Sequence, residues 1–369
     1  MKIIAVVMRR LALPLRRPFR TAGGELTRRD VVVLEVRTSD GVGWGECAAL
    51  PEPTYTAEYV EGAESMLRRF LLPMLLAAPS AASADVAAIL AAVKGHPMAK
   101  AAVEMAVLDA ELRAAGRSLA SWLGGVRDSV EVGVAVGRAD SIAEQVHEVA
   151  EQVARGYRRV KLKIAPGWDV EPVAAVRDRF GDGLALQVDG NCAYPAGAAE
   201  HLVRLDRFGL VLVEQPFAAD DLAAHARLAS LMATPVCLDE SVTSVPTAAA
   251  AIGAGACSVI NIKSGRVGGY LEARRIHDVC VASGVDVWCG GMLETGLGRA
   301  ANLALASLPG FTLPGDISGS DRWYAEDITT PRLAVNGRML VPSGPGIGAV
   351  PLAEALDAFT TSSYTALPP

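Results

Sequence analysis

The stretch RRVKLKI, residues 158–164, alternates apolar and basic side chains, so Val160, Leu162 and Ile164 share one face of a β-strand and Lys161 and Lys163 the other. It is one of eight short runs after residue 130 that read as strands: VEVGVAV, RRVKLKI, LALQVD, LVLVE, TPVCLDE, SVINIK, VDVWCGG and FTLPGD. Longer helical stretches separate them, the pattern of βαβ units on a parallel sheet. The polar residues closing five successive runs, Lys163, Asp189, Glu214, Asp239 and Lys263, lie 26, 25, 25 and 24 residues apart. One strand, one helix and two loops take about that length in a (β/α)₈ barrel of about 250 residues. The strands of a closed parallel barrel end on one rim, so these five side chains are expected to converge on a single mouth.

The first 125 residues read differently. KIIAVVMRRLALPL and DVVVLEVRTSDGVGWGECAAL are β segments, with a turn at Ser39-Asp40-Gly41, and MAKAAVEMAVLDAELRAAG, residues 98–116, has helical periodicity. The segment beyond about residue 317 is expected to pack back onto this α+β unit. With 369 residues, 51% of them hydrophobic and 21% charged, the chain is long enough for a large and a small domain. A net charge of −6 without a basic stripe argues against nucleic acid as a partner. The N-terminal apolar run is too short for a signal peptide, and FLLPMLLAAPSAASADVAAIL is broken by Pro73, Pro79 and Asp85, so neither secretion nor a membrane span is expected. The six scattered cysteines form no CxxC pair and read as buried thiols. The setting expected is cytoplasmic.

Asp189, Glu214 and Asp239 on adjacent strand ends cannot all be anions in a small space unless a cation neutralises them or their pKa values rise. An all-oxygen set selects a hard divalent ion such as Mg²⁺ or Mn²⁺. The plainer reading of any one acid is a strand-end or helix-capping residue; three in register weaken it. Lys163 and Lys263 flank the acids from either side, and a neighbouring cation such as Lys161 would lower the pKa of a lysine base. Lys161 and Lys163 also fit a solvated strand face, and the alternation alone does not say which of them is the base. A cation that binds a carboxylate substrate, beside a base near its α-carbon, supports α-proton abstraction to an enediolate.

VGWGEC, MAKAAVEMAVLDAEL, KLK at 161–163, QVDGN at 187–191, EQP at 214–216, LDES at 238–241, NIKSGRVGGYLEARRIHDVC from 261, CGGMLETGLGRA from 289 and LPGD at 313 together carry a resemblance over nearly the whole chain. The sequence resembles the muconate-lactonising branch of the enolase superfamily, in particular its N-acylamino acid (N-succinylamino acid) racemases and o-succinylbenzoate synthases. Lysine with a divalent metal is the arrangement known for such sites. The resemblance implies an α/β fold: an N-terminal α+β capping domain over 1–125, a (β/α)₇β TIM-like barrel over 126–316, and a C-terminal segment over 317–369. It implies Lys163 and Lys263 as acid/base lysines, Lys161 beside the substrate carboxylate, and Asp189, Glu214 and Asp239 as ligands of Mg²⁺, replaceable by Mn²⁺ or Co²⁺. Asn191, at the substrate, and Glu240 stand behind the ligands, and Arg266 stands near the second lysine. Loops 21–25 and 49–55 would close over the mouth, with Phe19, Leu50, Tyr55, Leu293, Trp323, Ala135 and Gly291 around the substrate. Ala135, Gly190 and Trp323 stand where serine, alanine and phenylalanine are frequent, which bears on the acyl group and side chain preferred.

The function implied is racemisation of N-acylamino acids through an enediolate. The runner-up is o-succinylbenzoate synthase, a syn dehydration serving menaquinone synthesis that shares the first step, so one protein can carry both. Dipeptide epimerisation comes third. A metal-assisted hydrolase has no use for two facing lysines, and a non-catalytic binding protein has no use for the complete proton-transfer set. The partner expected is a small carboxylate, and relatives suggest a homo-oligomer, dimer to octamer.

Overall fold

The computed structural model of the protein describes residues 1–21, 24–78 and 80–369, apart from the side chains of residues 20, 21 and 24. The tip of the expected 21–25 loop, Ala22 and Gly23, lies outside the described residues. The chain opens with three antiparallel strands, β1 (Ile3–Thr21), β2 (Gly24–Thr38) and β3 (Gly41–Cys47). The Ser39-Asp40-Gly41 turn is the β2–β3 hairpin: Thr38 stands opposite Gly41, and its hydroxyl donates to Gly41 O and accepts from the Asp40 N–H. Register between β1 and β2 breaks between Pro14 and Phe19, where Pro14 and Pro18 lack a donor for the ladder.

The helix Pro97–Ala114 packs on β3 and on the barrel segment 264–282. Pro97 opens it, where a missing N–H costs nothing, and 13 of its 18 residues are buried because it is sandwiched between sheet and barrel. Gly43 and Gly45 permit the contact, since a Cβ on either would lie 2.1 Å from a helix carbonyl, Ala106 O or Ala102 O.

The second half supplies β4 (Ser129–Glu131), β5 (Val134–Val136), β6 (Arg159–Lys163), β7 (Ala185–Asp189), β8 (Val213–Glu214), β9 (Val236–Leu238), β10 (Val259–Ile262) and β11 (Asp286–Cys289). Strands β5 to β11 form one curled parallel sheet in sequence order, with helical segments in every crossover. Two of the eight runs differ from simple strands. VEVGVAV splits at Val132-Gly133, so that β4 pairs antiparallel with β12 (Arg338–Leu340) while β5 joins the barrel. FTLPGD forms no continuous strand, because Pro314 has no N–H. It closes the barrel through single pairings instead: Phe311 with Val287 and Gly315 with Val132. The Gly315 N–H donates to Glu131 O, the Gly133 N–H to Gly315 O, and the Asp316 N–H to Cys289 O.

Strand β6 is buried on both faces, with Val160 and Leu162 outward under the helices and the lysines in the barrel. Lys161 is 2% exposed and Lys163 8%, which excludes a solvated face. The last strand, β13 (Thr360–Ala366), pairs antiparallel with β1 and returns the chain to the first sheet. Among the described residues no helix is long and apolar enough to cross a membrane.

Candidate active site

Parallel register sets the site. Lys163 pairs with Asp189 and Asp189 with Glu214 at the ends of β6, β7 and β8, while Asp239 follows the end of β9 and Lys263 the end of β10. Above them lies a cavity of about 420 Å³ lined by Lys161, Lys163, Lys263, Asn191 and Glu240 at its floor. Its walls include Phe19, Leu50, Tyr55, Ala135, Gly291, Leu293 and Trp323. Asp189, Glu214, Asp239 and Arg266 lie beneath, all but sealed from solvent. Phe19 packs edge-on against Trp323, 4.8 Å between ring centres, and Trp323 Nε1 donates to Ser318 Oγ at 3.0 Å.

The cations and anions of the floor are interlocked. Lys163 Nζ donates to Asp189 Oδ2 and Asn191 Oδ1, both at 2.6 Å, and Asn191 Nδ2 donates to Glu240 Oε1 at 3.1 Å. Lys161 Nζ donates to Glu214 Oε2 at 2.9 Å and lies 3.2 Å from the same Asp189 oxygen that Lys163 touches. Lys263 Nζ donates to Asp239 Oδ2 at 2.7 Å and to the Tyr55 hydroxyl at 3.0 Å. That hydroxyl donates to Asp239 Oδ1 at 2.9 Å, so a loop of the first domain reaches the barrel floor. Arg266 pairs with Asp239 Oδ1 and is fixed by Val242 O and Asn261 O.

These contacts alter the expected electrostatics. Burial is the largest influence against the charge on Lys161, but Asp316, Glu214 and Asp189 together outweigh it and hold the ammonium well above the usual lysine range. Lys263 is raised in the same way, burial being outweighed by Tyr55, Glu240 and Glu214. Asp189 Oδ2 is shared by the two ammonium groups of β6, 3.2 Å from Lys161 Nζ and 2.6 Å from Lys163 Nζ. Burial, then Asp189, raises Glu214 and pushes Glu240 up to about 7.

Several groups at the site have no counterpart among the expected residues. Asp316, in the closing segment, lies 2.5 Å from Lys161 and pairs with Arg159. Gln215 ties the end of β8 to the loop after β9: its Oε1 accepts from the Asp239 and Ser241 N–H groups, and its Nε2 donates to Ser241 Oγ. Asn261 Nδ2 donates to Glu214 Oε1 at 2.7 Å. Asn191, Cys192, Gln215 and Leu293 hold φ of 41°, 61°, 36° and 58°, a left-handed conformation costing about 1–3 kcal/mol each that concentrates at functional sites.

Two family models match this architecture: "Mandelate racemase / muconate lactonizing enzyme, N-terminal domain" over residues 3–124 and "Enolase C-terminal domain-like" over residues 143–355. The chain belongs to the enolase superfamily. Among its superfamily relatives, an N-succinylamino acid racemase from Amycolatopsis sp is 57% identical over 362 residues, 98% of each chain. An o-succinylbenzoate synthase from Geobacillus kaustophilus is 46% identical over 345 residues, 93% of this chain and 92% of the relative. A solved enolase-superfamily member from Listeria innocua has 39% identity and a TM-score of 0.95, with 100% of both chains covered.

Enolase-superfamily members use a divalent metal, typically Mg²⁺. The donor chemistry here fits one: three buried carboxylates from neighbouring strands, and a fourth, Glu240, whose Oε2 is buried without a hydrogen-bond partner. The side chains are not drawn around one point, and among the described residues no three acidic, His or Cys groups stand at metal-holding distances. Asp189 and Glu214 turn to Lys161, and Asp239 turns to Lys263, Arg266 and Tyr55.

Proposed function

We propose that this chain racemises N-succinylamino acids and related N-acylamino acids, one of Lys163 and Lys263 taking the α-proton and the other delivering its own proton to the opposite face. The observation that carries the reading is that both ammonium groups reach one cavity from β6 and the end of β10, strands with three others between them. A substrate lying between them loses its α-proton to one lysine, becomes planar as the enediolate, and takes a proton on the other face from the second. Lys263, held charged by its neighbours, is set to deliver a proton. Lys161 would pair with the substrate carboxylate. Asp189, Glu214 and Asp239 would hold the divalent ion, Mg²⁺ by preference with Mn²⁺ or Co²⁺ as substitutes, whose charge stabilises the carboxylate oxygens as the α-proton leaves. Asn191 and Glu240 would orient the ligands, and Arg266 the Asp239–Lys263 pair. Phe19, Leu50, Tyr55, Ala135, Gly291, Leu293 and Trp323 would receive the amino-acid side chain and the acyl group. The 57%-identical racemase supports this choice of substrate.

The same reading takes residues 1–125 as the cap, 126–316 as the catalytic barrel and 317–369 as a strap returning to the cap. Free cysteines support a reducing, cytoplasmic setting. Exposed Leu333, Val335, Leu340, Val350 and Leu352 on the C-terminal segment support a homo-oligomer, dimer to octamer, which sedimentation would size.

A second reading, o-succinylbenzoate synthase, is favoured by the 46%-identical relative; there Lys163 would be the base and Lys263 a stabilising cation. Incubation with Mg²⁺ and N-succinyl-L-phenylalanine in D₂O, followed by NMR and chiral analysis, separates the two. α-Deuteration with accumulation of the D-isomer is expected. No exchange, together with rapid dehydration of the o-succinylbenzoate precursor, would replace the first reading with the second.

A further inference from the structure

Lys161 lies against three carboxylates at once: Asp316 Oδ2 at 2.5 Å, Glu214 Oε2 at 2.9 Å and Asp189 Oδ2 at 3.2 Å. Asp316 alone of the three has no place in the proposed cation set. It comes from the segment that closes the barrel and is fixed there independently of the other two. Its Oδ1 accepts from Arg159, whose second amino group donates to Pro314 O at 2.8 Å. Arg159 is 1% exposed and sits where a Cβ on Gly133 would be 2.1 Å from its Nε. The guanidinium and Lys161 Nζ both lie over Trp288, 5.3 and 4.9 Å from its ring centre. The Asp316 N–H is tied to Cys289 O at 2.9 Å.

A lysine ammonium is a point charge with little geometric preference among carboxylates. Any cation that takes Asp189 and Glu214 must take them from Lys161. Without Asp316, a buried Lys161 would have only those two anions to neutralise it and would compete directly for them. We propose that Asp316, anchored by Arg159, is a positioning residue that gives Lys161 an anion of its own to stay on, so that Asp189 and Glu214 can be yielded to a divalent cation. The inference rests on the reading of Asp189, Glu214 and Asp239 as the cation's ligands.

The test is Mn²⁺ affinity of the full chain without substrate, from the free-ion signal in electron paramagnetic resonance. Asp316→Asn is expected to weaken Mn²⁺ binding about tenfold, the lower end of what loss of a supporting group costs a metal site. Loss of a negative charge near a cation weakens binding by itself, so the deciding comparison is made in a Lys161→Met background. There Mn²⁺ binds more tightly than to wild type, because the competitor is gone, and adding Asp316→Asn changes affinity by less than about twofold. A tenfold loss that persists in that background, or no loss from Asp316→Asn alone, would overturn the inference. Absence of Mn²⁺ binding by wild type would instead overturn the cation reading and this inference with it. Asp316→Ser, read the same way, covers a folding failure of the asparagine variant.

Discussion

Tyr55 touches the floor of the cavity through a single oxygen, shared by Lys263, Arg266 and Asp239. Tyr55→Phe removes those bonds and keeps the ring that lies 4.4 Å from Lys263 Nζ. Racemisation kcat/KM should fall at least about tenfold, the loss expected from a single charge-assisted hydrogen bond, with Tm changed by less than about 2 °C. An unchanged kcat/KM would make Tyr55 a wall and nothing more. Gly133→Ala is the opposite kind of change. Its Cβ would meet the Arg159 guanidinium, which cannot retreat while it holds Asp316, and a cost of about 2–3 kcal/mol in urea unfolding is expected. The strand-end rhythm made Lys163, Asp189, Glu214, Asp239 and Lys263 legible because side chains at equivalent positions of parallel strands must meet. Asp316 was within reach of the same rule, since it lies 53 residues after Lys263, two repeats on. Gln215 and Asn261 were not, because nothing in EQP or SVINIK says which neighbouring backbone or carboxylate an amide will bond.

At the scale of elements, the first domain is docked by carboxylates set on the starts of barrel helices. Glu104, in the helix Pro97–Ala114, accepts from the Leu271 N–H at the start of Tyr270–Ala282, and Glu46 of β3 accepts from Thr295 and Gly298 at the start of Gly296–Ala306. Burial pushes Glu104 up to about 7. An acid raised on folding contributes stability below its unfolded pKa near 4.5 and loses it as pH rises through about 7, because the unfolded chain releases the proton first. Glu104→Gln keeps an acceptor and removes the titration. The variant should gain on wild type in urea unfolding by up to about 3 kcal/mol at pH 8, with the gap closing toward pH 5. A gap that does not change with pH would contradict this. The alternating hairpin strands and the Pro97 helix were readable from periodicity. The broken first run and the closing segment were not, because Gly133 and Pro314 act through a partner, Arg159 or a missing ladder bond, that is distant in sequence.

The molecule as a whole is a cap and a barrel that the C-terminus ties together, and β13 covers the outer edge of β1. Deleting residues 360–369 would bare that edge. A fall in Tm on the order of 5 °C and concentration-dependent aggregation are expected, and an unchanged Tm would mean that β13 adds no stability. The barrel was legible from the spacing of its strand ends, whereas the route of the last fifty residues carried no comparable rhythm. What joins all these scales is the proposal that Lys163 and Lys263, which line one cavity, face the substrate's α-carbon from opposite sides. Its most direct test is α-proton exchange in D₂O by the single variants Lys163→Ala and Lys263→Ala, each given N-succinyl-L-phenylalanine and its D-isomer separately. Racemisation should fall by at least about 10³-fold in both, while each variant still exchanges one enantiomer, and the two variants choose opposite enantiomers. If both variants exchange the same enantiomer, or one retains full racemisation, the two lysines do not serve opposite faces.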